Sequence, residues 1–405
     1  MAESLRILFL APDVPYPLND GVSQRVYHFL RGLARRHKVT LLALLQGEEK
    51  RGFENVFQSM GIETHFEQVE LNPWRTIGQR LFDPIPDTVR HWDVPGLRDK
   101  ILALARSKPF DIIHCEDISM ASHLYGQDIR VPVVTDRTRV DLEFQTTSQK
   151  YVKNVIKKLT NTEILFKLKR YERNLLKQYP HQVVCSDDDR DFLKRLFKVS
   201  DTLCIVRNGI DETYFMEMAP PLPEDPPTLV FTGAMHYFPN VDAMRWFFAE
   251  MHDELRATFP NLRVIIAGKN PPNEISILAQ RPGVEVTGPV PDIRPYYAKA
   301  DIFFVPIRIG GGTRLKIVEA MAMGRPVIST TIGCQGLDLV NEKHILKADT
   351  APAFIDSIKK MLNDRAWASR IARDGKKFVL ANFTWDRLAD ELDSFYCDVA
   401  SKARK

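Results

Sequence analysis

Short, unbroken apolar runs alternate along this chain with longer stretches in which apolar residues return every three or four positions. Leu5–Ala11 is a run of the first kind and predicts a buried strand. Val22–Arg36 is of the second kind, with Val22, Val26, Phe29, Leu30 and Leu33 at helical spacing. Val39–Leu45 is the next strand. Strand, helix and strand make a βαβ unit, and repeating it builds a parallel sheet with helices on both faces. Further strands are predicted at Thr64–Leu71, Asp111–Cys115, Val131–Thr135, Gln182–Ser186 and Leu203–Val206.

Pro220–Pro227 holds five prolines in eight residues and predicts an irregular linker. The strand pattern then restarts at Thr228–Thr232, Leu262–Ala267, Val284–Thr287, Asp301–Pro306, Pro326–Thr330 and His344–Ala348. Helical periods fall between these runs, among them Val241–Thr258 and Ala351–Leu362. The expected organisation is two doubly wound, Rossmann-like α/β domains, 1–219 and 228–383, facing a central cleft. Residues 384–405 are expected to form a helix that packs back on the first domain. Ligands of such sheets bind at the carboxyl ends of the strands, so the residues just after each strand matter most.

The bulk numbers agree with two domains and narrow the function. The chain has 405 residues, 44% of them hydrophobic and 27% charged, enough for two real cores. A net charge of +4 gives no global polyanion-binding character, and no nucleic-acid motif is present. Five scattered cysteines without a Cys-x-x-Cys pair argue against a zinc site or a disulfide framework and fit a reducing cytoplasm. The amino-terminal residues lack a signal-peptide pattern, and no apolar run is long enough to span a bilayer.

The strand at Asp301–Pro306 leads into Ile307-Arg308-Ile309-Gly310-Gly311-Gly312-Thr313-Arg314-Leu315-Lys316-Ile317-Val318-Glu319. Three glycines let a backbone approach a ligand closely. A helix starting near Thr313, capped by it, would offer free N–H groups to a phosphate. Arg314 and Lys316 add positive charge. Thr313, Lys316 and Glu319 lie three apart, roughly along one helix face, from which Glu319 could accept hydrogen bonds from ribose hydroxyls. Without a ligand, the same residues would form a strand-to-helix turn with a Lys316–Glu319 surface pair.

Several ordered segments resemble the family 4 retaining glycosyltransferases of GT-B fold, with a flavour of the bacterial exopolysaccharide enzymes. They are Val206–Asp211, Phe231–Asn240, Ile266–Gly268, Val286–Asp292 and Gly310–Gly324 running into Arg325-Pro326-Val327-Ile328. The resemblance implies that Val290 to Asp292 hold the nucleotide base, that Glu319 binds the ribose and that Gly312, Thr313 and Lys316 hold the diphosphate. Gly233 would sit against the donor. The chain departs from the family twice. The first Glu of the family's Glu-x7-Glu pair falls at Gly311, and no Arg or Lys follows Gly233 within Ala234–Asn240. Arg314 and Lys316 are expected to supply the neutralising charge instead.

In the first half, the loop after Leu5–Ala11 is no dinucleotide fingerprint. Gly21, at the start of the following helix, is either the family's glycine near the diphosphate or an ordinary turn residue. His114 and Glu116 end the strand at Asp111–Cys115. The resemblance implies a catalytic role for them, in touch with the transferred sugar or acceptor: His114 aligns with the first His of the family's His-x-His form, and Glu116 replaces the second; a structural role is the alternative. Asp136 follows the next strand and either lines the acceptor side or caps a helix. Ser186-Asp187-Asp188-Asp189 reads as a cap for the helix Arg190–Phe197 rather than as a metal motif, and neither metal nor cofactor is expected.

Lys150–Lys177 holds nine Lys/Arg against two Glu, interleaved with apolar residues. Such a stretch suits an anionic membrane surface, or else a solvated helix pair. The resemblance implies a hexosyltransferase, cytoplasmic or peripheral on the inner membrane face. It would move sugar from a UDP- or GDP-sugar to a glycan or lipid-linked acceptor. A nucleotide-sugar epimerase and a non-catalytic GT-B scaffold are the rival readings.

Overall fold

The computed structural model describes residues 4–18, 20–45, 52–69, 82–90, 94, 96–149, 155–199, 202–216, 218, 226–309 and 314–404. The chain divides into two compact units: Met1–Asn208 with Trp385–Lys405, and Gly209–Thr384. The first passage between units falls at Asn208–Gly209, upstream of the expected linker, most of which (220–225) lies outside the described residues.

The first unit is built on seven parallel strands: β1 (Arg6–Ala11), β2 (Lys38–Leu45), β3 (Glu63–Gln68), β4 (Ile112–Glu116), β5 (Val133–Arg137), β6 (His181–Val184) and β7 (Leu203–Ile205). Their order across the sheet is β3-β2-β1-β4-β5-β6-β7. The apolar run of β1 pairs with β2 on one side, Ile7 opposite Val39, and with β4 on the other, Phe9 opposite His114. From Ile7 onward β1 is wholly buried, as expected of a strand covered on both faces.

Helix Gly21–Ala34 covers one face of this sheet, and helix Trp385–Ala403 packs beside it. The contact is close because Gly32 has no side chain: a Cβ there would collide with the Cβ of Ala389. Trp385 stacks on His28, with ring planes 7° apart and centroids at 5.2 Å. Acidic residues of the later helix face basic ones of the earlier segment. Asp386 meets Arg35 at 3.0 Å, Asp390 meets Arg36 at 2.7 Å, and Asp393 meets His37 at 2.6 Å.

The second unit holds β8 (Thr228–Thr232), β9 (Arg263–Ala267), β10 (Val284–Val286), β11 (Ile302–Val305), β12 (Val327–Ser329) and β13 (Leu346–Lys347). Its order is β10-β9-β8-β11-β12-β13, all parallel, so both sheets start from the same winding. Every predicted strand is present, with ends displaced by only a few residues.

The helices differ more. The helix expected at Val241–Thr258 is two, Phe238–Glu250 and His252–Thr258. The chain breaks at Met251 (φ −129°), which lets Met251, His252 and Leu255 all reach the core. The Ser186 hydroxyl does accept from Asp189 N at 3.1 Å, but the helix it caps starts at Asp187, so it is one turn longer than expected. Among the described residues no helix is long and apolar enough to cross a membrane.

Candidate active site

Three glycines follow the carboxyl ends of β8, β9 and β10. Gly233 has φ +148°, Gly268 φ +158° and Gly288 φ +69°, values that disfavour a side chain. They are tied in a row: Gly233 N donates to Ala267 O at 3.0 Å, and Gly268 N to Gly288 O at 3.2 Å. The result is an edge of bare backbone at the place where a parallel sheet binds ligands.

Lys316 reaches this edge from helix Leu315–Ala322, which follows β11. Its Nζ donates to Asn240 Oδ1 at 2.9 Å and lies 4.1 Å from the centre of the Phe231 ring. A Cβ on Gly233 would stand 2.6 Å from this nitrogen, so the glycine is what lets the ammonium in. Among the described residues Lys316 has no carboxylate in salt-bridge contact. Desolvation, with Arg314 adding repulsion and Glu319 opposing, pushes the Lys316 ammonium down to about 7.

Glu319, one turn on, accepts from Tyr297 Oη at 2.6 Å, and that hydroxyl also bonds Thr232 Oγ1 at 2.9 Å. Burial raises the Glu319 carboxyl, against the pull of Tyr297 and Lys316. Only one oxygen takes Tyr297, which fixes the carboxyl and leaves the other to a ligand. Arg314 is the cap of this helix, in an extended conformation (φ −91°, ψ 92°) with no side-chain cap bond. The cap expected at Thr313 is therefore moved: the helix begins at Leu315. Gly311, Gly312 and Thr313 lie outside the described residues.

Val290 is half-buried in the loop after β10. The Asp292 side chain is occupied: it takes Arg294 through both oxygens (2.8 to 3.1 Å) and Tyr214 Oη at 3.0 Å. The bond from Arg294 holds its carboxyl below the usual range. What this loop can offer a base is its backbone.

In the first unit, four of the expected residues have the following surroundings. Gly21 opens its helix, but the N–H groups of Val22 and Ser23 already donate to the Asp20 carboxylate at 3.0 and 2.9 Å. An anion at that terminus would meet a carboxylate. Asp136 has no exposed surface, and Arg25, equally buried, takes both its oxygens at 2.8 and 2.9 Å. Arg25 also holds Asn208 Oδ1 and the Arg207 carbonyl oxygen. Asp136 is thus one half of a buried ion pair.

His114 is stacked on Phe9 with ring centres 3.8 Å apart, and its Nδ1 bonds the Tyr396 hydroxyl. Burial, with Arg25 adding repulsion, pushes its imidazole far below the ordinary histidine value. Glu116 is 1% exposed, and neither of its oxygens has a hydrogen-bond partner among the described residues; His114 Nε2 lies at 3.6 Å. Burial and then Asp136 drive its carboxyl well above the usual range. Ligand atoms of His114, Glu116 and Asp136 lie within 4.8 Å of one another, but the Arg25 guanidinium beside them opposes a metal cation. Neither His114 nor Glu116 presents the open surface expected of a group that touches substrate.

Asn240, Phe231 and Gly268 sit inside motifs the sequence displays, yet their contacts with Lys316 and Gly233 were not readable there. Tyr297 carries no sequence signal: it lies in the short helix Arg294–Lys299, without a motif.

Two parallel sheets wound in one order, the second with a glycine-lined carboxyl edge, are the architecture of the GT-B glycosyltransferases. Residues 19–214 match the family model described as Glycosyltransferase Family 4, and residues 226–364 that described as Glycosyl transferases group 1. The chain belongs to glycosyltransferase family 4. It is 21% identical over 401 residues to an uncharacterized 44.6 kDa protein in the cps region of Klebsiella pneumoniae, covering 93% of this chain and 96% of that one. Among solved structures, sucrose-phosphate synthase from Thermosynechococcus elongatus superposes with TM-score 0.73 at 17% identity, covering 98% of this chain and 100% of that one. Anabaena HepE in complex with UDP and glucose gives TM-score 0.67 at 14% identity, covering 96% and 98%.

Proposed function

We propose that this glycosyltransferase is a retaining, metal-independent hexosyltransferase. It takes a UDP- or GDP-sugar at the second unit and delivers the sugar to a glycan or lipid-linked acceptor of surface polysaccharide synthesis. The carrying observation is Lys316: a desolvated amine with no carboxylate in salt-bridge contact among the described residues, held by Asn240 and Phe231 against the bare backbone of Gly233.

A diphosphate laid along the glycine edge would restore the charge of Lys316, and Arg314 would add a second cation. As the anomeric C–O bond breaks, negative charge grows on the departing phosphate, where a fixed cation is worth most. The proton of the acceptor hydroxyl would pass to the leaving phosphate, so no carboxylate base is needed. Glu319, oriented by Tyr297, would accept from ribose hydroxyls, and the backbone at Val290 to Asp292 would meet the base. With Gly at 311, the grip on the sugar itself is expected to be looser than that on the nucleotide.

Peripheral attachment at the inner membrane face belongs to the same proposal. In helix Val155–Gln178, Leu159 and Phe166 are 68% and 71% exposed, and seven residues apart they share a face. Exposed Lys169, Arg170, Arg173 and Lys177 follow. Residues 150–154 of the basic stretch lie outside the described residues.

The experiment is incubation with a panel of nucleotide sugars, with and without lipid extract, monitoring nucleoside diphosphate release and product anomer. Acceptor-dependent release with retained configuration is expected. Interconversion of donor sugars without acceptor would instead indicate an epimerase, and no turnover of any donor would leave a scaffold.

A further inference from the structure

At the opposite edge of the second unit lies a pocket of about 400 Å³. Asp301 immediately precedes β11, and Arg325 and Pro326 immediately precede β12, so the pocket sits where strands enter the sheet. Its other wall is helix Arg365–Asn382, which contributes Arg365, Ser369, Arg373 and Lys376 at spacings of four, four and three. Those spacings put them on one face.

Four cations line this pocket against one carboxylate, Asp301. That carboxylate is already engaged, by Arg365 Nη1 at 3.1 Å and by Thr228 N at 2.9 Å. Arg325 is only 7% exposed. Its Nη1 donates to the Ala300 carbonyl oxygen at 3.2 Å, while Nε and Nη2 have no acceptor among the described residues. A buried guanidinium left this way costs stability, and native proteins retain such groups chiefly where a partner is supplied. The Lys376 stem runs across Gly324, its Cδ 3.7 Å from where a Cβ would stand. Met361 and Ala372 add apolar lining.

We propose that this pocket is a second anion site, separate from the glycine-lined edge, which takes a phosphoryl group carried on a partly apolar molecule. An excess of three positive charges, four cations less one carboxylate, suits a phosphoryl dianion better than a single carboxylate. The apolar lining suits the group's carrier.

The test is calorimetric titration of wild type with inorganic phosphate and phenyl phosphate, alongside co-sedimentation with vesicles containing phosphatidic acid. The same is done for Lys316→Met, Arg325→Met and the double variant Arg373→Ala/Lys376→Ala. One site per chain is expected, kept in Lys316→Met and weakened at least about tenfold in the other two. Binding of the soluble phosphates identifies a small-molecule source; vesicle pelleting that persists in Leu159→Ser/Phe166→Ser and is lost on adding Arg373→Ala/Lys376→Ala identifies a lipid headgroup. Arg325→Met should also melt higher than wild type without anion, since it removes a buried guanidinium whose Nε and Nη2 have no acceptor among the described residues. Loss of binding in Lys316→Met with retention in the double variant would overturn the proposal, as would failure of every probe to bind. The double variant changes half-exposed or exposed side chains, so it reads out the site even if Arg325→Met fails to fold.

Discussion

The carbonyl oxygen of Gly233 occupies the place where Gly268 would carry a side chain; a Cβ built on Gly268 collides with it. The two loops can lie this close only because Gly268 ends at Cα. Gly268→Ala should therefore cost about 2–4 kcal/mol of stability in urea unfolding, a backbone collision that side-chain rotation cannot relieve. Gly288→Ala, with nothing within 4 Å of its Cβ, should cost only its backbone strain, about 1 kcal/mol.

Lys316 sets stability against activity. Burial holds its ammonium at about 7, against an ordinary 10.5. Between those values the unfolded chain carries a proton that the folded chain lacks, so stability rises with pH across the window. The cost is fully present below pH 7. Lys316→Met should raise the urea midpoint at neutral pH, with the advantage shrinking towards pH 9, and should lower turnover about 10²–10³-fold. A variant that is less stable than wild type at pH 7 would show the charge to be well compensated.

Asp136 separates a core role from a binding role. Asp136→Ala leaves the Arg25 guanidinium buried without its carboxylate and should cost about 3–5 kcal/mol. Adding Arg25→Met should recover much of that loss. Were Asp136 an acceptor contact alone, thermal unfolding would be unchanged and only the acceptor KM would move.

Leu159 and Phe166 make the proposed membrane contact measurable. Leu159→Ser with Phe166→Ser removes exposed apolar surface and should abolish pelleting with vesicles containing anionic lipid, since each inserted side chain contributes about 1.5–3 kcal/mol. Raising salt should weaken wild-type pelleting through Lys169, Arg170, Arg173 and Lys177. Pelleting unchanged by both treatments would remove this helix from the contact.

The strands were legible because parallel strands covered on both faces must be short apolar runs, as at Phe9 to Ala11 and Leu229 to Phe231. The motifs holding Gly233, Gly268 and Gly288 were legible too, because a backbone that must stay bare leaves glycine after β8, β9 and β10, but their meeting in one edge was not. Polar residues at strand ends were not. His114 and Glu116 look the same in sequence whether they face a ligand or Tyr396, because Tyr396 lies 282 positions away from His114. The same distance problem hid Tyr297 behind Glu319 and Asn240 behind Lys316.

The helix Trp385–Ala403 belongs to the first unit although it is encoded after the whole of the second. During translation the second unit is therefore synthesised in full before the last helix of the first. Until then, the Gly32 face of helix Gly21–Ala34 waits with its apolar surface uncovered. The amino-terminal unit therefore cannot complete its packing until its neighbour has been synthesised.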